Sequence, residues 1–389
     1  MLLAWMARTE GLAASKRWED LWRSPPPVWL RGLSRLYALG WRAYAGVYAL
    51  GLKRREPIPV PVIGIGSLWA GGVGKTPVTI AVARLLHAAG VRVAILTHGY
   101  GGSRYRTGAL VDPKQYPDPA EVGDEAAELR LALPDAPLAV GKWRVRMAHA
   151  AMERWSPDAL VLDDGFQHLP LARTLDLVLL PAESPLGNGF CLPAGPLREP
   201  PEGVRRAGGV VWVYFGSPHP QPLSHGVGEG CRGARRCALP FPLARLAGEG
   251  DTGGEGFGIP TYTATIAPTA LMRLATGERL PLHALQGQPL TIVCGIARPQ
   301  RFLQTAHRLG YTAAETHLFP DHHPYTPDDL RMLAGKTVLT TLKDAVKLRG
   351  RFPDDGDAYA LLIEAQLDDA LRRRILSMFT GTPTGSRES

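Results

Sequence analysis

The run Gly71-Gly72-Val73-Gly74-Lys75-Thr76 stands between a short apolar stretch at 60–65 and a helical pattern that starts at Pro77. Such a strand–loop–helix restricts the fold more than any other segment of the chain. Glycines let backbone N–H groups converge on phosphate oxygens, and the N-terminus of the following helix adds partial positive charge. In that context Lys75 reaches the β- and γ-phosphates of a nucleotide, and the Thr76 hydroxyl takes Mg²⁺. The strict pattern puts its first glycine at position 69, where this chain has Trp69, so the loop is a variant. Gly64-x-Gly66 fails as a dinucleotide fingerprint, because Trp69 also stands where its third glycine belongs.

A nucleotide site needs a carboxylate at the end of a neighbouring strand. Four apolar residues at 159–162 run into Asp163-Asp164. Asp163 is the candidate to hold Mg²⁺, directly or through water. Paired aspartates also occur in ordinary turns. Together with Lys75-Thr76 upstream, they point to nucleotide hydrolysis or transfer.

Short apolar runs alternate with helical stretches, which implies a parallel sheet covered on both faces. Strands are expected at 60–65, 91–97, 159–162, 175–180 and 209–214, with helices at 78–89, 124–132 and 144–154. A second unit is expected to have strands at 262–266, 290–294, 337–341 and 358–362 and helices at 298–309 and 367–379. Between them, 216–258 is rich in Gly, Pro, Arg and Ser and reads as a linker or long loop. The fold class is therefore α/β: a P-loop NTPase-like parallel sheet core, an N-terminal amphipathic helix, and a second, smaller α/β domain. The divisions are 1–56 for N-terminal interface helices, 57–215 for the P-loop core, 216–260 for the irregular segment, and 261–389 for a domain that completes a cleft. The last ten residues, 380–389, are expected to fray.

Length and composition agree with this. The 389 residues suffice for two cores, and 45% hydrophobic with 21% charged residues excludes wholesale disorder. The formal charge of +8 suits an anionic partner, although arginine-rich coding produces the same excess. No zinc spacing, RNA-binding motif or groove-reading helix is present, so no nucleic-acid partner is expected. Cys191, Cys231, Cys237 and Cys294 are too sparse for a disulfide framework, and a reducing cytoplasm fits them.

At the N-terminus no cleaved signal is expected, and no stretch reaches the about 20 apolar residues of a membrane span. Leu30, Leu33, Tyr37, Trp41, Tyr44 and Tyr48 recur at helical spacing, with Arg31, Arg35 and Arg42 mainly off that stripe. Aromatic rings beside arginines suit a helix lying in a membrane interface. The same pattern suits a helix packed on its own domain.

Several runs, in order, resemble the tetraacyldisaccharide 4'-kinase (lipid A 4'-kinase) family. They are the stretch from Pro61 through Pro77, Gly99-Tyr100-Gly101-Gly102, Gly123-Asp124-Glu125, and Asp163-Asp164-Gly165-Phe166-Gln167-His168. Gly187-Asn188-Gly189, the stretch from Leu192 to Pro200, Asp321-His322-His323-x-Tyr325 and Leu342-Lys343-Asp344-Ala345-Val346-Lys347 complete the set. The resemblance implies an ATP- and Mg²⁺-dependent enzyme that phosphorylates the 4'-hydroxyl of a tetraacylated glucosamine disaccharide 1-phosphate to give lipid IVA. It implies a peripheral protein on the cytoplasmic face of the bacterial inner membrane, with the N-terminal helix at the interface. A monomer is expected.

The resemblance also carries roles. Asp124 would be the general base towards the sugar hydroxyl, and His322 its partner, with the adjacent His323 an open alternative. Glu125 and Asp163 would serve Mg²⁺. Asp164, Arg144, His168, Arg198 and Glu199 match positions around the site, the arginines suiting a phosphate-charge role. Three positions depart from the pattern: His98 where the family commonly has arginine, Phe190-Cys191 where a basic residue often follows, and Arg298 where a small or amidic residue is usual. The competing reading is a membrane-recruited regulatory ATPase of the partitioning or division-site type. Its signature lysine before the first glycine is replaced here by Ala70, and its anchor is typically C-terminal.

Overall fold

A computed structural model describes Trp22 and residues 25–216 and 258–379. The remaining N-terminal residues, Cys231, Cys237, nearly all of the irregular 216–258 stretch and the tail lie outside the described residues.

The first part of the chain contains α1 (Val28–Ala49), β1 (Val62–Ser67), α2 (Lys75–Ala88), β2 (Val93–Thr97), β3 (Ala109–Val111), α3 (Pro119–Val122) and α4 (Asp124–Ala132). It continues through β4 (Leu138–Val140), α5 (Arg144–Trp155), β5 (Ala159–Asp163), β6 (Leu175–Pro181) and β7 (Gly209–Phe215). After residue 258 come β8 (Thr261–Arg273), β9 (Arg279–Leu280), β10 (Pro289–Cys294), α6 (Pro299–Arg308), β11 (Thr312–Leu318) and α7 (Pro327–Met332). The last elements are β12 (Thr337–Thr341), α8 (Leu342–Leu348), β13 (Asp357–Leu367) and α9 (Asp369–Leu376).

The strands make one sheet in the order β11-β10-β12-β13-β8-β7-β6-β1-β5-β2-β4-β3, with β9 paired to β8. Pairing is parallel from β4 to β8, apart from the antiparallel edge β3–β4, and parallel again from β13 to β11. The α/β class with a mainly parallel sheet is the one the alternating pattern implies. Neighbouring residues alternate between two cores. Ile63, Ile65 and Val161 face one side, while Val62, Leu160 and Leu162 face the other. Both faces are covered, which is why these strands read as unbroken apolar runs.

Strand β1 starts two residues later than the apolar pattern suggests. Pro61 has no N–H to give to a ladder, so pairing begins after it. Strands β8 and β13 run to more than twice their expected length. Pro268 and the polar Glu364 and Gln366 broke the apolar pattern, but a register shift between Leu362 and Ile363 sits where Ile363 meets Pro268. A bulge there accommodates the proline. Strand β11 was not expected at all, being a largely exposed edge strand with little apolar signal.

Helix α1 shares its apolar residues between two sides. Leu30, Ser34 and Ala38 are buried against the protein. Ser34 Oγ donates to the Cys191 carbonyl at 2.8 Å, Tyr37 Oη donates to the Arg198 carbonyl at 2.8 Å, and Arg42 pairs with Glu202. Val28, Trp29, Leu33, Leu36 and Leu39 point outward, Trp29 with 68% of its surface exposed. The stripe read from spacing therefore splits: Leu30, Tyr37 and Trp41 lie towards the protein, while Leu33 and Tyr44 are exposed. No helix among the described residues is long and apolar enough to cross a membrane.

The antiparallel β8–β13 ladder pairs Leu271 with Leu361, both buried. Leu271→Ala should lower unfolding stability by about 2–5 kcal/mol, read as a lower urea midpoint at unchanged slope.

Candidate active site

The glycine loop leaves β1 between β5 and β6 and enters α2. Gly74 caps α2 at φ +83°, a left-handed conformation, and a Cβ there would collide with the Ile266 side chain from β8. Only glycine keeps this turn and this close packing. Val73 is buried beneath the loop. Gly71 and Gly72 also have positive φ. Arg301 donates from Nη1 to the Gly72 carbonyl at 3.1 Å, and the Arg298 guanidinium lies 4.8 Å over the Trp69 ring. Two of the positions where the sequence departs from pattern, Trp69 and Arg298, thus meet each other. Thr76 follows Lys75 in the first turn of α2.

Lys75 Nζ lies 3.3 Å from Asp164 Oδ1, and Arg198 Nη1 lies 2.7 Å from both oxygens of the same carboxylate. Burial, then the Arg198 charge, holds the Lys75 ammonium below its ordinary value. Burial works against an ionised Asp164, but Arg198 and Lys75 overcome it and hold the carboxyl far below the usual range. Its chain neighbour Asp163 ends β5 and accepts from Thr79 Oγ1 at 2.7 Å. Burial, then the nearby Glu125, pushes Asp163 up to about 7.

Arg144 opens α5 and is almost wholly buried, its pKa pushed down to about 10 by burial. Burial and then Arg144 push His98 down to about 3 and His168 down to about 4. His98 supplies no positive charge where the family commonly has arginine. Glu199 is buried and already engaged, accepting from Gln167 Nε2 and Arg206 Nη1, each at 2.7 Å.

The second group of residues is assembled across the sheet seam. Helix α8 packs on α4. Asp124 opens α4 after Gly123, whose φ is +85° and whose added Cβ would stand 2.5 Å from the Tyr100 carbonyl oxygen. The 99–102 and 123–125 motifs therefore interlock through backbone contact. Asp124 Oδ2 lies 3.2 Å from His322 Nδ1 and 3.2 Å from Lys347 Nζ. His323 turns away and pairs with Asp329 Oδ2 at 2.8 Å in the cap of α7. Of the two adjacent histidines, His322 is the one that meets Asp124.

The residues fit a polyanion and a hard cation. Arg144 Nε, Arg198 Nε and His168 Nε2 are buried without hydrogen-bond partners. The two guanidinium nitrogens are donors left for a ligand, and His168 Nε2 donates or accepts according to its tautomer. The Thr76 hydroxyl and the mutually repelling Asp163 and Glu125 are oxygen donors of the kind Mg²⁺ takes. No cage of three or more His, Cys, Asp or Glu side chains suited to a metal ion forms among the described residues. A phosphoryl-transfer Mg²⁺ does not need one, because it binds through one or two carboxylates, phosphates and water.

Lys343, Lys347, Asp321, Thr79 and Glu128 were given no role from sequence. Glu128 lies one turn along α4 from Asp124, and burial pushes it up to about 8 against the opposing charge of Lys343. The two lysines stand in a motif noted for its pattern, but short α8 gave no periodic signal to aim them.

A glycine loop at the head of a helix, an aspartate closing the next strand and a carboxylate–imidazole pair opposite define a P-loop phosphotransferase. Comparison with known proteins narrows the class. The sequence profile described as Tetraacyldisaccharide-1-P 4'-kinase matches residues 27–380. A tetraacyldisaccharide 4'-kinase of Anaeromyxobacter dehalogenans is 41% identical over 310 residues, covering 78% of this chain and 76% of the relative. One from Geobacter metallireducens is 37% identical over 346 residues, covering 87% and 93%. Among solved structures, "apo" form LpxK from Aquifex aeolicus in complex with ATP aligns with a TM-score of 0.68 at 27% identity, covering 90% of this chain and 98% of that one. The chain belongs to the tetraacyldisaccharide 4'-kinase family.

His98 and His168 are neutral in the fold and bind protons near 6.5 once unfolded. The unfolded chain thus binds more protons between about 6.5 and about 4, and stability should fall as pH drops through that window. Each contributes up to about 1.4 kcal/mol per pH unit. Urea titrations across the window should show a shallower fall for His98→Gln and His168→Gln.

Proposed function

We propose that this chain transfers the γ-phosphate of ATP to the 4'-hydroxyl of a tetraacyldisaccharide 1-phosphate, forming lipid IVA in lipid A biosynthesis, with Asp124 as the base. The observation that carries the assignment of the base is the state of the Asp124 carboxylate. Oδ2 is held by His322 and Lys347, while Oδ1 takes no hydrogen bond among the described residues. A carboxylate anchored by one oxygen and open at the other is placed to accept a hydroxyl proton. Burial works against its charge, yet His322 and Lys347 keep it below its ordinary value, so it is an anion at neutral pH.

The chain's own groups divide the remaining work. Lys75, Arg144 and Arg198 supply positive charge to the transferring phosphoryl group. Asp164 keeps Lys75 and Arg198 in place. Thr76, Asp163 and Glu125 would hold Mg²⁺, which when bound offsets charge on the nucleotide phosphates. His168 and Glu199 line the site, Glu199 through its hold on Gln167 and Arg206. In this reading the 57–215 core carries the nucleotide, and the part from 261 onward completes the cleft with His322.

The outward face of α1 supports a peripheral seat on the inner membrane. Trp29, Leu33, Leu36 and Leu39 lie along one exposed side, and an acylated substrate stays in the bilayer. The cytoplasmic face is the one that offers ATP.

Transfer of labelled γ-phosphate to the disaccharide lipid in detergent micelles tests the reaction. Lys75→Ala and Asp124→Asn should each lower kcat by about 10²–10⁴-fold. A folded, ATP-binding wild type that labels no lipid would overturn the reading. Replacing Trp29, Leu36 and Leu39 together with Glu should abolish co-sedimentation with anionic vesicles while leaving the melting temperature in place.

A further inference from the structure

Two lysines one turn apart on α8 close around the Asp124–His322 pair. Lys347 Nζ is 3.2 Å from Asp124 Oδ2 and 3.1 Å from Asp344 Oδ1, and it lies 5.3 Å over the Tyr325 ring. Asp344 is itself fixed, accepting from the Gly295 N–H at 3.0 Å and from Thr341 Oγ1 at 2.7 Å. Lys343 Nζ is 2.8 Å from Asp321 Oδ1 and 3.2 Å from His322 Nε2.

An ammonium group offers three donors and no acceptor. A ring nitrogen that meets it at hydrogen-bond distance must carry a lone pair. Nε2 of His322 therefore accepts, and the ring hydrogen sits on Nδ1, where it is donated to Asp124 Oδ2. Lys343 keeps its charge there: burial opposes it, but Asp321 and then Glu125 hold it above its ordinary value. The other charged and polar groups around the ring are Lys347 from the same helix, Asp124 from α4, and Asp321 from the ring's own loop. Tyr100 completes the set, its ring centroid 5.9 Å away.

We propose that Lys343 and Lys347 are positioning residues for the base. Lys347 pins Asp124 Oδ2, and Lys343 locks His322 in the Nδ1–H tautomer, so His322 aims the carboxylate and does not receive the proton. The inference rests on Asp124 being the base. As the sugar oxygen bonds to phosphorus and the bond from phosphorus to the ADP oxygen breaks, the hydroxyl proton passes to Asp124 Oδ1. Nothing is oxidised or reduced.

The test reads the ring directly, in the full chain in detergent at neutral pH, without nucleotide or lipid. Long-range proton–nitrogen correlation spectra of ¹⁵N-histidine protein, with His322 assigned by its loss in His322→Gln, report which nitrogen bears hydrogen. Wild type should show hydrogen on Nδ1 and none on Nε2. Lys343→Met should release the ring to the Nε2–H form or the imidazolium, and Lys343→Arg, still a donor without an acceptor, should restore the wild-type pattern. In turnover, Lys343→Met and Lys347→Met should lose about tenfold or more in kcat with the KM for ATP unchanged. Hydrogen on Nε2 in the wild type, or a Lys343→Met spectrum like the wild type, would overturn the proposal. Because the spectra need no substrate, this failure is distinct from failure of lipid labelling.

Discussion

Strand β8 pairs in parallel with β7 on one edge and antiparallel with β13 on the other. That one strand makes a single sheet of two parallel runs, and the site depends on it. Helix α8 follows β12, which pairs with β13, while α4 lies beside the glycine-loop helix. The ladder therefore sets how far Lys347 and His322 stand from Asp124. Helix α2 is tied to the same place, with Arg84 meeting Glu364 of β13 at 2.8 Å. The helix that begins at the phosphate loop thus rests on the last strand of the chain.

Within that frame, neighbouring charges are driven apart by their surroundings. Asp163 and Asp164 are adjacent in sequence, yet one is raised to about 7 and the other held far down. Asp164 faces two cations, whereas Asp163 faces Glu125 with a hydroxyl for support. Such divergence marks different tasks. Asp164 stands against Lys75 and Arg198, and Asp163 is left beside a second carboxylate.

Five strands of the first half were legible because they are largely buried on both faces, and the loop carries its own chemistry in glycines, Lys75 and Thr76; β3 and β4, at three residues each, are too short to leave a pattern. The second half was less so. Pro268 concealed the length of β8, and exposed residues concealed β11. Asp124, Arg144 and Arg198 were reachable only through family resemblance, since a lone carboxylate or guanidinium has no periodicity. Spacing could not separate His322 from His323. The cap of α7 separates them by giving His323 its own carboxylate, Asp329. Lys343 and Lys347 had a motif but no direction, because their meaning lies in a residue some 200 positions upstream.

The topology has a consequence for synthesis. β8 is completed at Arg273, but the strand that covers its other edge begins only at Asp357, roughly 80 residues later. A ribosome adding about 5–20 residues per second leaves that edge bare for several seconds to a quarter of a minute. During that interval the nascent chain holds a 13-residue strand whose β13-facing backbone groups lack their partner. Until β13 arrives, that edge is open to pairing with another chain.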